Sequence, residues 1–433
     1  MNDLTALVPP DGALCTDSFR QLADRLGGIP CEGASPWGYV NDPRHLANPT
    51  MPFIELLIAV GAVLAFVHAG VRLRRTGDAA EVGVCLAAIV YVLVLEPPLY
   101  FPDLFGLGGV VPSTFVHNEF TIGLLYNRLP LYILLLYPAL VYLAWSLVRC
   151  LGVRERLPGW RGIVLAAVCV GAVHQAFYAI FDQFGPSHLW WAWGPDLTKG
   201  RFLIGDVPMS SAVNFALVMP TAFALTCLVV LGRRPRRTVR SVLAPAAVCG
   251  VLTPLVSAPG QVPSTVIDAV ATPGAAWGKA VLMGLVLLAT AVLVTQLVVA
   301  WRRPVAAPAE GRGWIGWYPP AYLALWLVGF VALEVASPPA GVAAYLVPCY
   351  LVSVAVLLTV VRVLRQRSVG YVAQQGGHLG GELTGEEAHR PGSPGQPLAG
   401  ARVQPGAPDG GLRGVGAPSQ QPGDQAGLDV ARP

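Results

Sequence analysis

Three side chains that exchange protons readily follow each other at helical spacing in the middle of the chain. His174, Tyr178 and Asp182 are four residues apart, so on a helix they lie within an arc of about 80° along roughly 12 Å of one face. A carboxyl group away from water is more easily protonated, and a positioned acid can protonate a substrate. We therefore expect Asp182 to be a general acid, oriented by His174 and Tyr178. The alternative is that this face forms hydrogen bonds between helices.

A second polar set lies on the other side of a loop. Asp206, Ser210 and Asn214 repeat the four-residue spacing, and Glu119 stands just before an earlier apolar run. We expect Glu119 or Asp206 to be the acid–base partner of Asp182. Asn214 is expected to contact the substrate.

Aromatic residues and one arginine accompany these polar sets. Trp190, Trp191 and Trp193 lie in the loop between them. They suit either an aromatic belt at the membrane surface or the walls of an apolar pocket, where indole faces stabilise a cation. Arg128 is expected to bind the substrate or to pair with an acid such as Glu119 or Asp182; contact with a lipid phosphate is the other reading.

Nine apolar runs position these residues. The composition is 54% hydrophobic and only 12% charged, whereas soluble domains carry about 25% charged residues. At roughly 20 residues per membrane span, the predicted helices are 52–72, 82–101, 129–148, 162–182, 207–231, 241–257, 280–300, 319–336 and 342–361. The predicted fold is an all-α polytopic membrane helix bundle of about nine transmembrane helices.

Arginines set the predicted orientation. They follow every second run: Arg72, Arg74 and Arg75, then Arg149, Arg154, Arg156 and Arg161, then Arg233, Arg234, Arg236, Arg237 and Arg240, then Arg302, Arg303 and Arg312, and finally Arg362, Arg365 and Arg367. Loops rich in arginine stay in the cytoplasm. We therefore predict that the N-terminus is outside, the C-terminus is inside, and the chain lies in the cell membrane.

Two segments flank the predicted membrane domain, 51–367. Residues 1–50 form an extracytoplasmic segment without the apolar core of a signal peptide, in which Cys15 and Cys31 form a disulfide or remain unpaired thiols. Residues 368–433 are rich in Gly, Pro, Gln and Ser, which predicts a disordered cytoplasmic tail.

Several function classes lack support in the sequence. The chain has no G-x-S-x-G, P-loop, H-E-x-x-H or C-x-x-C-H motif. Its few histidines are spaced too irregularly for a di-iron cluster, so no metal and no cofactor are predicted. The net charge of +4 comes largely from the arginines that are predicted to face the cytoplasm. We therefore expect no nucleic-acid partner.

Between residues 117 and 220 the chain resembles the carotenoid hydratase family of membrane proteins, which is related to the heterodimeric-type lycopene cyclases. The matching positions are Glu119, Leu129-Pro130-Leu131-Tyr132, Tyr137-Pro138, Trp145, Asp182, Trp191-Ala192-Trp193, Val207-Pro208 and Asn214-Phe215. The resemblance implies cofactor-independent acid–base chemistry on an isoprenoid alkene, with Asp182 and Glu119 as the acid and base. The rest of the chain resembles multi-pass membrane proteins of high-GC actinobacteria in its Ala, Val, Leu, Arg and Pro usage.

Three functions therefore stay open at this point. The first is an enzyme that acts on a lipophilic, isoprenoid-like molecule taken from the membrane lipid. The second is a transporter or lipid-binding protein, and the inner halves of the fifth, seventh and ninth runs argue against it because they are almost purely apolar apart from Thr295 and Gln296. The third is a membrane scaffold whose tail recruits a partner.

Overall fold

The protein is an all-α membrane helix bundle. A computed structural model describes residues 15–27, 35–106, 115–194, 202–232, 238–270, 275–304, 313–329 and 341–382, the last range with side chains to residue 366. In this part of the chain, eight helices are long and apolar enough to cross a membrane. The predicted fold class is confirmed.

The helices follow the apolar runs of the sequence. They are α1 (Asp17–Arg25), α2 (Met51–Thr76), α3 (Ala80–Tyr100), α4 (Leu131–Leu151), α5 (Gly159–Ser187), α6 (Met209–Val230), α7 (Val239–Val270), α8 (Ala276–Arg302), α9 (Tyr318–Gly329) and α10 (Val342–Glu382). Helix α6 contains a π-helical turn at Asn214–Val218. The eight candidate spans are α2 to α8 and α10.

Two predicted elements reach beyond the described residues. The predicted span 319–336 is seen as α9, and residues 330–340 are not described. Helix α10 continues to Glu382, whereas residues 383–433 of the predicted tail lie outside the described part. The disorder of that tail stays a prediction.

Helix α7 is longer than predicted although it contains four prolines. A proline removes one backbone donor and leaves a carbonyl oxygen of the preceding turn without its partner. Short side chains occupy carbonyls in this helix: the Thr253 hydroxyl donates to the Cys249 oxygen at 2.7 Å, and the Ser257 hydroxyl to the Pro254 oxygen at 2.7 Å. These are not the carbonyls that the prolines free, which belong to residues four positions before each proline.

Seven short strands lie in the connections of the bundle. They are β1 (Tyr39–Val40), β2 (Phe115–His117), β3 (Ile122–Leu124), β4 (Leu129–Pro130), β5 (Trp191–Trp193), β6 (Leu203–Ile204) and β7 (Val207–Pro208). They form antiparallel sheets in the order β1-β3-β4, β2-β5 and β6-β7. In the β2–β5 ribbon, His117 is opposite Trp191 and Phe115 is opposite Trp193.

Described residues of several arginine-rich connections meet at one end of the bundle. Arg149, at the end of α4, forms an ion pair with Glu81 at the start of α3. Arg156 donates to the Gln296 side chain on α8 at 3.0 Å, and the Arg362 guanidinium lies 4.2 Å from the Trp301 ring centroid. We call this the inner end, because the arginines predict that it faces the cytoplasm.

We call the opposite end of the bundle the outer end. There the remaining loops contact each other. Trp190 donates to the Thr50 hydroxyl at 2.7 Å, and the Thr121 amide donates to Glu55 at 2.8 Å. Helix α1 lies against the β2–β5 ribbon through a small apolar cluster. Cys15, next to α1, is disulfide-bonded; its predicted partner, Cys31, lies outside the described residues.

Helices α4 and α5 form the centre of the bundle. Buried residues make up 83% and 78% of their most apolar windows, against 33% and 28% for α7 and α8. A polar side chain on α4 or α5 is therefore surrounded by protein, whereas most of the α7 and α8 surfaces face outward. The predicted chemistry of α5 thus lies in the protein core.

Candidate functional site

A small cavity lies between the outer halves of the central helices and the β2–β5 ribbon. We call it the outer cavity. It is lined by Glu96, Phe115, His117, Ile133, Leu136, Tyr137, Tyr178, Phe181, Asp182, Trp191, Trp193, Ser211 and Phe215. Its volume is about 30 Å³, which is room for one or two water molecules.

Helix α5 contributes Asp182 and Tyr178 to this cavity, as their four-residue spacing predicts. Asp182 is only 2% exposed, so its carboxyl group is enclosed by protein. His174, one turn further along, does not line the cavity: its ring stacks on Tyr178 with centroids 5.1 Å apart. Its Nδ1 hydrogen donates to the Ala216 oxygen at 2.8 Å, so His174 supports the tyrosine from behind.

Helix α3 contributes a second carboxyl group, Glu96. This side chain is 3% exposed and accepts a hydrogen bond from the Tyr137 hydroxyl at 3.2 Å. Pro97 and Pro98 follow immediately and still lie within α3. The cavity therefore contains two buried carboxyl groups from different helices.

Polar atoms of the outer cavity lack protein partners. Glu96 Oε2, Ser211 Oγ and Trp193 Nε1 are buried without a hydrogen-bond partner in the described part of the chain. The Asp182 carboxyl also forms no hydrogen bond or ion pair with a described residue. Burying a polar group without a partner costs about 1 to 3 kcal/mol, and four such groups around one cavity are suited to a polar ligand or water.

His117 is a buried, neutral member of the cavity wall. Its Nε2 lies 3.1 Å from the Tyr100 hydroxyl and its Nδ1 lies 2.9 Å from the Tyr132 hydroxyl. One ring nitrogen must donate and the other accept, because a neutral imidazole has one of each. Burial lowers the pKa of His117 to about 3, so the ring carries no charge at neutral pH.

Aromatic rings form the remaining walls. The Trp191 and Phe181 centroids are 5.1 Å apart, and those of Trp193 and Phe115 are 5.3 Å apart. Trp191 packs so closely on Gly185 of α5 that a Cβ atom there would overlap its indole. These rings leave the two carboxyl groups in a largely apolar enclosure.

Three predicted polar site residues lie outside the cavity. Glu119 is partly exposed and accepts a hydrogen bond from the Ala47 amide at 3.1 Å. Asp206 is exposed in the turn between β6 and β7. Asn214 accepts a hydrogen bond from Ser264 of α7 at 3.0 Å, so it links α6 to α7.

Two further residues that were predicted to bind the substrate do not line the cavity. Trp190 stands behind the wall, 6.2 Å from Phe181 between ring centroids. The Arg128 guanidinium lies 3.1 Å from the centroid of Phe19 on α1. Burial lowers the pKa of Arg128 to about 9, which still leaves it charged at neutral pH.

Four polar residues of the outer cavity were not assigned to the site from the sequence: Glu96, His117, Tyr137 and Ser211. Glu96 had a readable signal, since it is an acid near the end of an apolar run and is followed by two prolines. Tyr137 stood out only in the Tyr137-Pro138 match of the family resemblance, and the place of His117 and Ser211 in the site depends on contacts between distant segments.

Comparison of the chain with protein-family models, with curated proteins and with solved structures gives no match.

Proposed function

We propose that the protein is a membrane-embedded enzyme that performs cofactor-independent acid–base chemistry on a lipophilic, unsaturated molecule of the isoprenoid type. The reaction takes place in the outer cavity. The observation that carries this proposal is the convergence of two buried carboxyl groups and two other unpaired polar groups on one aromatic-walled space.

The unpaired groups favour a catalytic role over a structural one. A carboxyl group that only holds helices together has hydrogen-bond partners on the neighbouring helix. Asp182 has no such partner among the described residues. Glu96 has one, the Tyr137 hydroxyl of α4 on Oε1, but its second oxygen, Oε2, is buried without one. Groups that remain unsatisfied in the ligand-free protein are available to a substrate.

Asp182 and Glu96 divide the chemistry in this proposal. Protonated Asp182 gives its proton to one carbon of a double bond, forming a C–H bond and leaving a carbocation on the other carbon. Water or a second double bond of the substrate then attacks the cation. Glu96, as a carboxylate, takes the proton released by the attacking water or by an adjacent C–H group, so the charge balances.

The aromatic walls suit the cationic intermediate. Indole and phenyl faces attract a cation through their negative quadrupole, and the attraction increases where water is excluded. Trp191, Trp193 and Phe181 present such faces around the carboxyl groups. Ser211 and the Trp193 indole nitrogen can position a water molecule or a polar group of the substrate.

The size of the outer cavity sets a condition on binding. At about 30 Å³ it holds water but no isoprenoid unit, so a wall side chain must move when the substrate enters. The β2–β5 ribbon belongs to the outer loops rather than to the helices, and its movement would leave the bundle intact. A lipophilic substrate would come from the surrounding membrane, which we propose is the cell membrane.

Transport is less well supported by the same geometry. The outer cavity shares no lining residue with the large cavity at the inner end. Between them lie buried apolar residues of α4 such as Leu140, Val141 and Ala144. No polar route through the described bundle favours a transporter.

Deuterium labelling tests the proposal. Lipid extracts from a strain that lacks the gene would supply the candidate substrate, identified as the lipid that accumulates. Turnover by the purified protein in D₂O should place one non-exchangeable deuterium on carbon, because the acid takes its proton from solvent. Conversion without deuterium on carbon, or translocation of the lipid without conversion, would overturn the proposal.

A further inference from the structure

The β2–β5 ribbon separates the outer cavity from helix α1. Successive side chains of a strand point to opposite faces. One face of the ribbon lines the cavity with Phe115, His117, Trp191 and Trp193. The residues that alternate with them, Val116 and Ala192, belong to an apolar cluster with α1. The ribbon is therefore a thin wall, with the cavity on one face and a helix on the other.

Helix α1 covers this wall with one apolar side. Phe19, Leu22 and Ala23 of the helix and Leu26 directly after it are buried in the cluster, at the spacing of an amphipathic helix. Gln21, between them in sequence, is exposed. A helix of nine residues is not stable alone in water, so α1 depends on its contacts with the rest of the protein for its structure.

The start of α1 has a second attachment. The Arg128 guanidinium lies 3.1 Å from the centroid of the Phe19 ring. Cys15, just before the helix, is disulfide-bonded and packs against Phe101 at the end of α3. These contacts anchor the first turn, whereas Leu22 and Leu26 lie further along. The later part of the helix can therefore leave the ribbon while its start stays attached.

The ribbon itself holds together as a unit. Its two strands pair along all three residues, and the Asn118 side chain donates to the Leu189 oxygen at 2.7 Å next to the paired residues. Outside the ribbon, the cavity wall consists of residues from α3, α4, α5 and α6, which pack in the main core of the bundle. Segments with few buried apolar contacts open at a lower free energy than a core. The ribbon with α1 is thus the part of the wall that opens most easily.

We propose that α1 and the β2–β5 ribbon form a gate over the outer cavity, with α1 as its latch. While the apolar side of α1 covers Val116 and Ala192, the ribbon keeps Trp191 and Trp193 in the cavity wall. When α1 moves off, the ribbon swings outward and admits a lipophilic molecule from the outer leaflet. That this molecule is the substrate rests on the proposed function, whereas the opening itself does not.

Carbodiimide labelling measures the opening without a substrate. Dicyclohexylcarbodiimide is a lipophilic reagent that modifies protonated carboxyl groups in apolar surroundings. The full-length protein is treated in nanodiscs, and the modification rates of Asp182 and Glu96 are read by peptide mass spectrometry. Leu22→Ala removes apolar surface from the latch and should raise both rates roughly tenfold. Gln21→Ala changes the exposed side of the same helix and should react as slowly as the wild type.

A second latch variant and the measurement of turnover complete the experiment. Leu26→Ala should also raise the rates, which keeps the test decisive if Leu22→Ala fails to fold. Fast labelling of the wild type, or unchanged rates in the correctly inserted latch variants, would overturn the gate, because the reagent would then enter by another route. An equal rise in Gln21→Ala would overturn it as well. Latch-dependent labelling in a protein that converts no lipid would support the gate and refute the reaction.

Discussion

Acidification should destabilise the outer end of the bundle through His117. This ring is buried, and its pKa falls from the ordinary value of 6.5 to about 3. Between these two pH values the unfolded chain binds more protons than the folded one, so the free energy of unfolding rises with pH. The contribution is fully present above about pH 6.5 and is lost progressively as the pH falls toward 3. At about pH 5, protonation of the unfolded imidazole favours unfolding by roughly 2 kcal/mol.

The assay is denaturant unfolding in detergent micelles at about pH 7 and about pH 5. His117→Gln is the matched variant, because glutamine keeps a donor and an acceptor for Tyr100 and Tyr132 but does not titrate. The wild type should lose about 2 kcal/mol more than the variant over this interval. Equal losses would refute the reasoning, since they would mean that His117 is protonated in the folded protein or is not buried.

The remaining predictions concern the Trp191 wall of the outer cavity and the Glu81–Arg149 ion pair at the inner end of the bundle. Gly185→Ala should displace Trp191, whose ring occupies the space of the new Cβ, and should reduce turnover without preventing insertion. Gly70→Ala, where nothing lies within 4 Å, is its control and should leave turnover unchanged; equal effects would contradict the role of Trp191. Glu81→Gln should lower the free energy of unfolding by roughly 1 to 3 kcal/mol, less than for a fully buried pair because the Arg149 side chain is 26% exposed. An unchanged denaturation midpoint would show that this ion pair contributes nothing.

The bundle could be predicted because hydropathy depends on each segment alone. Runs of about 20 apolar residues locate the helices, and the connections after the first and third runs lie together at one end, as the Arg149–Glu81 pair shows. The small sheets at the outer end could not be predicted. Their strands have two or three residues, too few for a periodic signal, and His117 pairs with Trp191 across 74 positions of the sequence.

The candidate site could be predicted only where it lies on one helix. Tyr178 and Asp182 share a helix face with fixed geometry, so their spacing places both at the cavity. Asp206 lies before the helix, which begins at Met209. Its four-residue spacing from Ser210 therefore does not place the two side chains on one helix face. Glu96 lines the same cavity as Asp182 because α3 packs against α4, and the sequence of one helix does not specify which neighbour its polar group will face.

The most direct test of the account compares acids inside and outside the outer cavity. A strain that lacks the gene is complemented with the wild type, Glu96→Gln, Asp182→Asn or Asp206→Asn, and the lipid extracts are compared after insertion of each variant is verified. Glu96→Gln and Asp182→Asn should leave the lipid profile of the deletion strain, whereas the exposed Asp206→Asn should restore that of the wild type. Restoration by Asp182→Asn and Glu96→Gln would contradict the claim that the two buried carboxyl groups form a catalytic centre.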